Sequence, residues 1–189
     1  MVKEKTFFAL LKKTILGVLF FGSFFVATNT LAATLYFSPS SGAKQVGKTF
    51  TVSVYVSSAD QVMNAASGEI DVDSDKLEVV SISKSGSLFS LWAQEPSFSA
   101  DTVRFEGIVL NPGYKGSGGK LISFTLKAKA VGDAQVRLTN GSVLANDGNG
   151  TNILTSMGSA RFSLEGVNAN PTPEESTSPV EATGVPAAP

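Results

Sequence analysis

The chain has 189 residues, of which 42% are hydrophobic, and its 15 basic and 16 acidic side chains give a net charge of -1. This length and composition fit one globular domain with processing segments, and the charge leaves no basic surplus for nucleic acid. Cysteine and histidine are both absent, which excludes disulfides, Ser-His-Asp and Cys-His catalysis, and imidazole metal sites.

The first 32 residues have the pattern of a secretory signal peptide. Lysines at positions 3, 5, 12 and 13 precede an uncharged run over 15–27, and the small-residue segment TLAA follows at 30–33. This order predicts export and cleavage. The alternative is an uncleaved signal anchor, because no charge occurs between Lys13 and Lys44 and a slightly longer apolar stretch could span a bilayer.

Beyond this segment, hydrophobic residues recur with a period of two, which is typical of half-buried strands. In residues 50–56 the side chains of Phe50, Val52, Val54 and Val56 share one face. Further strands are predicted at 34–38, 67–72, 77–83, 102–109, 120–130, 135–140, 142–145 and 160–165. No segment after the signal has a sustained helical period, so we predict an all-β sandwich or jelly roll in a single domain. The predicted core residues are Phe105, Phe124, Leu126, Val136, Leu138, Phe162 and Leu164.

Acidic residues alternate along GEIDVDSD, residues 68–75. Because side chains alternate across a strand, Glu69, Asp71, Asp73 and Asp75 could share one sheet face. We interpret them as a solvated outer face, since strand alternation alone produces this pattern. A pair of carboxylates for glycoside hydrolysis is the alternative.

Three aromatic residues are candidates for stacking against sugar rings: Tyr55 by strand parity, and Trp92 and Tyr114 in loop-like segments. Packing in the core or in a lid is the alternative for Trp92. Tyr114 stands at the tip of NPGYKGSGGK, residues 111–120. We interpret this segment as a flexible hairpin-like connection, because a strand follows it in place of the helix that a phosphate loop needs.

The segment LANDGNGTNI, residues 144–153, supports either a turn or a calcium site. Asp147, Asn149 and Thr151 occupy alternate positions, as at the start of a helix-loop-helix calcium loop. The twelfth position from Asp147 is Gly158, where that loop needs glutamate, and the Asp-Gly and Asn-Gly pairs favour a turn. We therefore predict a turn and no required cofactor, with calcium at these three residues as the alternative.

The last 23 residues, 167–189, are rich in Pro, Thr, Ser and Glu, a composition that predicts a disordered linker or tail. The folded domain is therefore expected at 33–166. Membrane attachment is expected only through a signal anchor or through a segment beyond Pro189.

Four segments in the same order resemble the cohesin domains, within a wider group of carbohydrate-binding-like sandwiches. They are QVGKTFTVSVYVSS at 45–58, GEIDVDSDKLEVVSISKSGSLF at 68–89, GGKLISFTLKAKAVGDAQVRL at 118–138 and VLANDGNGTNI at 143–153. The resemblance implies a nine-stranded antiparallel jelly-roll sandwich that binds a dockerin module through one sheet face. Where the family has a Tyr-Asp-Pro turn, Val72, Asp73 and Ser74 keep only the aspartate.

We therefore expect a non-catalytic, monomeric module, secreted or at the cell surface, that binds a dockerin-like protein or a polysaccharide. An accessory domain of a carbohydrate-active enzyme and a ligand-free spacer of the cell envelope are the alternatives. The expected contact residues are Tyr55, Ser67, Glu69, Asp71, Trp92 and Tyr114.

Overall fold

The computed structural model describes residues 32–166. The predicted signal peptide at 1–32, apart from its last residue, and the predicted tail at 167–189 lie outside the described residues. In the described part of the chain, no helix has the length and apolar character needed to cross a membrane.

The described residues form ten strands. The strands are β1 Ala33–Ser38, β2 Ser41–Gln45, β3 Thr49–Val72, β4 Leu77–Ser83, β5 Leu91–Phe98, β6 Thr102–Ile108, β7 Tyr114–Ala128, β8 Gly132–Ala145, β9 Leu154–Met157 and β10 Ser159–Glu165. All pairings are antiparallel except β1 with β9 and β10 with β2, which are parallel. The predicted all-β fold is confirmed, with ten strands in place of nine.

Strand β3, with 24 residues, belongs to both layers of the sandwich. Its first half pairs with β1 and β7, and its second half pairs with β6 and β8. The register shifts between Val56 and Met63, where the chain passes from one set of partners to the other. Layer one is therefore β9-β1-β3-β7-β4, and layer two is β5-β6-β3-β8-β10-β2. The two separate strands predicted at 50–56 and 67–72 are two halves of this one strand.

The core lies between the two layers and follows the predicted alternation. Val52, Val54 and Val56 from the first half of β3 and Ile70 from its second half are fully buried. The rings of Phe50 in layer one and Phe162 in layer two lie 4.8 Å apart and join the layers. Burying one such side chain contributes about 1.5–3 kcal/mol. All seven predicted core residues are buried: Phe105, Phe124, Leu126, Val136, Leu138, Phe162 and Leu164.

Three strands were not predicted, and each lacks a clear apolar alternation. β2 and β9 are short and mostly exposed, and β5 has exposed residues at both ends and Pro96 within it. In contrast, β8 was predicted as two strands divided at Gly141. The strand is continuous through this position. Glycine is favoured there because a Cβ would lie 3.1 Å from the Ser67 carbonyl oxygen and 3.2 Å from Leu35 Cδ1.

The prediction of a flexible connection at 111–120 is wrong for most of that segment. β7 begins at Tyr114, and β3 pairs with it at Tyr114, Gly116 and Gly119. The half-buried Tyr114 side chain lies against Gly116 and Gly119. A Cβ at Gly116 would come within 2.7 Å of its hydroxyl oxygen, and a Cβ at Gly119 within 2.8 Å of its ring. The Tyr114 hydroxyl accepts a hydrogen bond of 3.1 Å from the Gly118 N–H. The glycines therefore make room for the ring, and Tyr114 is not an exposed aromatic at a loop tip.

Candidate functional site

Four neighbouring strands of layer two present one continuous outer surface. From edge to interior these are β5, β6, the second half of β3, and β8. We call the outward side chains of these strands the four-strand face. Because β3 is hydrogen-bonded on both sides, its side chains have positions fixed by the sheet.

An apolar row crosses the four-strand face at one end. Register pairs Leu91 with Ile108, Ile108 with Ala65, and Ala65 with Leu144, so the four side chains are direct cross-strand neighbours. Leu91 is 51% exposed, and Leu110, just beyond the end of β6, is 54% exposed. Ile108, Ala65 and Leu144 are half-buried, so the row is a partly exposed apolar strip. Solvent-accessible apolar surface with a polar border is typical of an interaction site.

Polar and charged rows border the apolar row. In the next row Ser67 lies between Glu106 and Ser142, and the Ser67 and Ser142 hydroxyl oxygens are 2.9 Å apart. Beyond it, Arg104 donates a hydrogen bond of 2.9 Å to Glu69.

The hydrogen bond from Arg104 to Glu69 raises the pKa of the Arg104 guanidinium above its usual value. The attraction between the two opposite charges is the second, smaller cause. One row further, Arg137 donates to Asp71 at 3.1 Å. Because both ion pairs are exposed to solvent, they add little to stability, and their main effect is to set the charge pattern of the face.

Three predicted site residues, Ser67, Glu69 and Asp71, therefore lie together on the four-strand face. The prediction that Asp73 and Asp75 share it is wrong, because β3 ends at Val72. Asp73 instead belongs to the turn before β4, where its carboxylate accepts a hydrogen bond of 3.2 Å from Lys76.

The chain matches a known family over most of the described residues. A family model described as Cohesin domain covers residues 37–162. The chain belongs to the cohesin domain family. No curated protein matches the chain.

Solved cohesins have the same fold at low sequence identity. The sixth cohesin of Acetivibrio cellulolyticus scaffoldin B, solved with a Cel5 dockerin mutant, has a TM-score of 0.55 and 16% identity over 71% of this chain and 99% of that chain. A non-cellulosomal cohesin from Archaeoglobus fulgidus has a TM-score of 0.55 and 19% identity, over 71% of this chain and 91% of that chain. CaCohA2 from Clostridium acetobutylicum has a TM-score of 0.57 and 13% identity, over 71% of this chain and 92% of that chain.

The predicted aromatic residues do not join the four-strand face of this cohesin domain. Trp92, predicted in a loop-like segment, lies on β5 and is half-buried. Its ring packs edge-on against Phe89 at 5.1 Å, and Lys84 Nζ lies 5.6 Å from the ring centroid. Tyr55 is on the outer side of layer one, where its ring stacks with that of Tyr36 at 5.6 Å.

The apolar row itself was not predicted from the sequence. Alternation along β6 places Ile108 on the same side as Arg104 and Glu106, so an outward apolar residue was a detectable signal. The alignment of Ile108 with Leu91 and Leu144 depends on cross-strand register, which alternation within one strand does not give.

The segment 144–153 contains a turn closed by Asp147. Its carboxylate accepts hydrogen bonds from the Asn149 N–H at 2.8 Å and from the Thr151 hydroxyl. These bonds, the one from Thr151 first, hold the pKa of the Asp147 carboxyl below its usual value. Within residues 32–166, no group of three or more acidic side chains is placed to hold a metal ion. Calcium at Asp147, Asn149 and Thr151 stays a prediction.

Proposed function

We propose that this cohesin domain is a non-catalytic binding module whose four-strand face binds a dockerin-like protein module. The apolar row of Leu91, Ile108, Ala65 and Leu144 carries the proposal, because its outward side chains, one exposed and three half-buried, are aligned across four strands. The scaffoldin relative from A. cellulolyticus, which was solved with a dockerin, supports the choice of partner.

The two parts of the face have different roles in this proposal. Removing the apolar row from water on contact supplies favourable binding energy. The ion pairs Glu69–Arg104 and Asp71–Arg137 lie to one side of the row, where they select partners with a complementary charge pattern and fix the orientation.

The hydrogen-bonded sheet limits the entropic cost of binding. β3 and β6 are interior strands of layer two, and each is paired on both sides. Their backbone is ordered before contact, so binding costs this domain little backbone entropy beyond the unavoidable loss of overall translation and rotation and some side-chain freedom. The apolar row crosses four strands and so spans three strand spacings, each of about 4.8 Å. This length suits a partner helix that lies across the strands.

Export belongs to the same proposal. The lysines before the uncharged run at 15–27 support a signal peptide over 1–32, followed by the binding module at 33–166 and a linker or tail at 167–189. The module would then act outside the cell or at its surface as a monomer.

The test is calorimetric titration of the full chain with a panel of dockerin modules, including those encoded by the source organism. We expect at least one to bind, and Leu91→Asp and Ile108→Ala each to weaken it about tenfold or more, because both remove apolar contact from the interface. Val80→Asp is the matched control: Val80 is 46% exposed on β4, an edge strand of layer one, so binding should be unchanged. A face that binds no dockerin, or binds equally well in all three variants, contradicts the proposal.

A further inference from the structure

The outer side of layer one carries a pair of stacked tyrosines. Tyr36 on β1 and Tyr55 on β3 are direct cross-strand partners, and their rings lie 5.6 Å apart at an angle of 20°. The Tyr36 hydroxyl donates a hydrogen bond of 2.8 Å to the Ser117 carbonyl oxygen on β7. Burial raises the pKa of Tyr36, and the nearby hydroxyls of Tyr114 and Tyr55 raise it further. Three strands therefore hold the two rings in place.

Rows of hydroxyl side chains surround this pair. On one side Thr34 is paired with Ser57, and on the other Ser38 is paired with Ser53. The second row continues through Ser123 on β7, which is buried, to the exposed Ser83 on β4. We call the stacked pair and these hydroxyl rows the tyrosine face.

The charge of the tyrosine face differs from that of the four-strand face. β1 and β9 contain no charged residue, and β7 contains lysines but no acidic residue. The acidic residues of the neighbouring strands lie away from the pair: Asp60 follows the register shift in β3, and Glu78 on β4 is the register partner of Lys127. Lys120, the register partner of Tyr55, donates a hydrogen bond of 3.0 Å from its Nζ to the Ser85 carbonyl oxygen. The face therefore offers aromatic surface and hydroxyl groups with little fixed charge.

We propose that the tyrosine face is a second binding site, on the layer opposite the four-strand face, and that it takes a neutral polysaccharide. The C–H surfaces of pyranose rings contact aromatic rings favourably, and each tyrosine also offers a polar tip. Serine, threonine and tyrosine hydroxyls both donate and accept hydrogen bonds, as sugar hydroxyls do. A strongly ionic partner would require several fixed charges, whereas the two hydroxyl rows supply none and the one charged neighbour of the pair, Lys120, is bonded to the Ser85 carbonyl oxygen.

The stacked arrangement favours binding because the rings are ordered before contact. Tyr36 is fixed by the Ser117 carbonyl and by the Tyr55 ring, so little side-chain freedom remains to be lost. A module with both sites would hold a dockerin-like protein on one layer and a polysaccharide on the other.

Native affinity electrophoresis of the full chain tests this inference. The gels contain hydroxyethylcellulose, xyloglucan or mannan, with carboxymethylcellulose as the charged comparison. We expect at least one neutral polymer to retard the protein and the double variant Tyr36→Ala, Tyr55→Ala to bind it about tenfold or more weakly, because two ring contacts are lost. Leu91→Asp, on the other layer, should be retarded like the wild type.

A second variant tests the site if the double alanine variant does not fold. Ser57→Glu keeps both rings and adds a carboxylate two residues from Tyr55, so it should weaken retardation by the neutral polymer. No retardation by any neutral polymer, retardation by carboxymethylcellulose alone, or full retardation of a folded tyrosine variant or of Ser57→Glu overturns the inference. Dockerin titration of the same variants should match the wild type, so failure of this site and failure of the four-strand face are distinguishable.

Discussion

At the scale of single residues, Gly107 on β6 determines how one corner of the sandwich packs. An added Cβ at this position would lie 2.3 Å from the Phe89 ring, which in turn packs against Trp92. A strand glycine can therefore be required by the close approach of an aromatic ring from a neighbouring segment.

We predict that Gly107→Ala lowers the free energy of unfolding by about 1–3 kcal/mol, because Phe89 must move from its packed position. Urea unfolding followed by Trp92 fluorescence measures the change. Gly118→Ala is the matched control, since nothing lies within 4 Å of a Cβ there, and its effect should stay within about 0.5 kcal/mol. Equal effects of the two substitutions would contradict this account of Gly107.

The turn at Asp147 gives a prediction about pH. Its native pKa is depressed by Thr151 and by the Asn149 N–H, whereas the unfolded chain has the ordinary value of about 3.9. The stabilisation is therefore fully present above that ordinary value and is lost as the pH falls through the lower native pKa.

An NMR titration of the side-chain carboxyls measures this directly. We expect Thr151→Val to move the Asp147 midpoint upward, toward the ordinary value, because it removes the hydroxyl donor. Asp101 is the internal control, since hydrogen bonds from Ser99 and Thr102 lower its pKa independently. An unchanged Asp147 midpoint in the variant would show that Thr151 does not stabilise the carboxylate.

At the scale of elements, β3 is the structural centre of the protein because it is an interior strand in both layers. We predict that amides in the middle of each half, such as those of Val52, Val54 and Ile70, exchange with solvent most slowly. Hydrogen exchange of the full chain, with the edge strands β2 and β5 as the fast comparison, measures this. Exchange of β3 as fast as that of β5 would mean that β3 is not held on both sides.

The elements also show what the sequence could predict. Alternation identified Phe124 and Phe162 as core residues, because the side to which a strand residue points is a local property. It missed β5, where Leu91 and Phe98 are exposed and Pro96 interrupts the pattern. The glycines after Tyr114 were predicted to form a loop. They instead make room for the Tyr114 ring of the same strand, a contact that the sequence does not show.

The candidate site was less predictable than the core. Ser67, Glu69 and Asp71 could be placed on one face because they belong to one strand. The row of Leu91, Ile108 and Leu144 needs the register among four strands, which is set by contacts far apart in sequence. The same holds for the Tyr36 and Tyr55 pair, whose partners come from different strands.

At the scale of the whole molecule, the sandwich separates two kinds of surface. Layer two presents an apolar row beside ion pairs, and layer one presents stacked tyrosines among hydroxyl groups. Both layers pack on one shared hydrophobic core. Each layer therefore supports the backbone that presents the surface of the other.

Amide chemical-shift mapping of the labelled full chain, titrated with a dockerin module that binds it, tests the central claim most directly. We predict that the largest shifts occur at 65–71 on β3, 104–108 on β6 and 142–144 on β8, which surround the apolar row. Largest shifts at 34–38 and 51–57, on the outer side of layer one, would contradict the assignment of the four-strand face as the protein-binding surface.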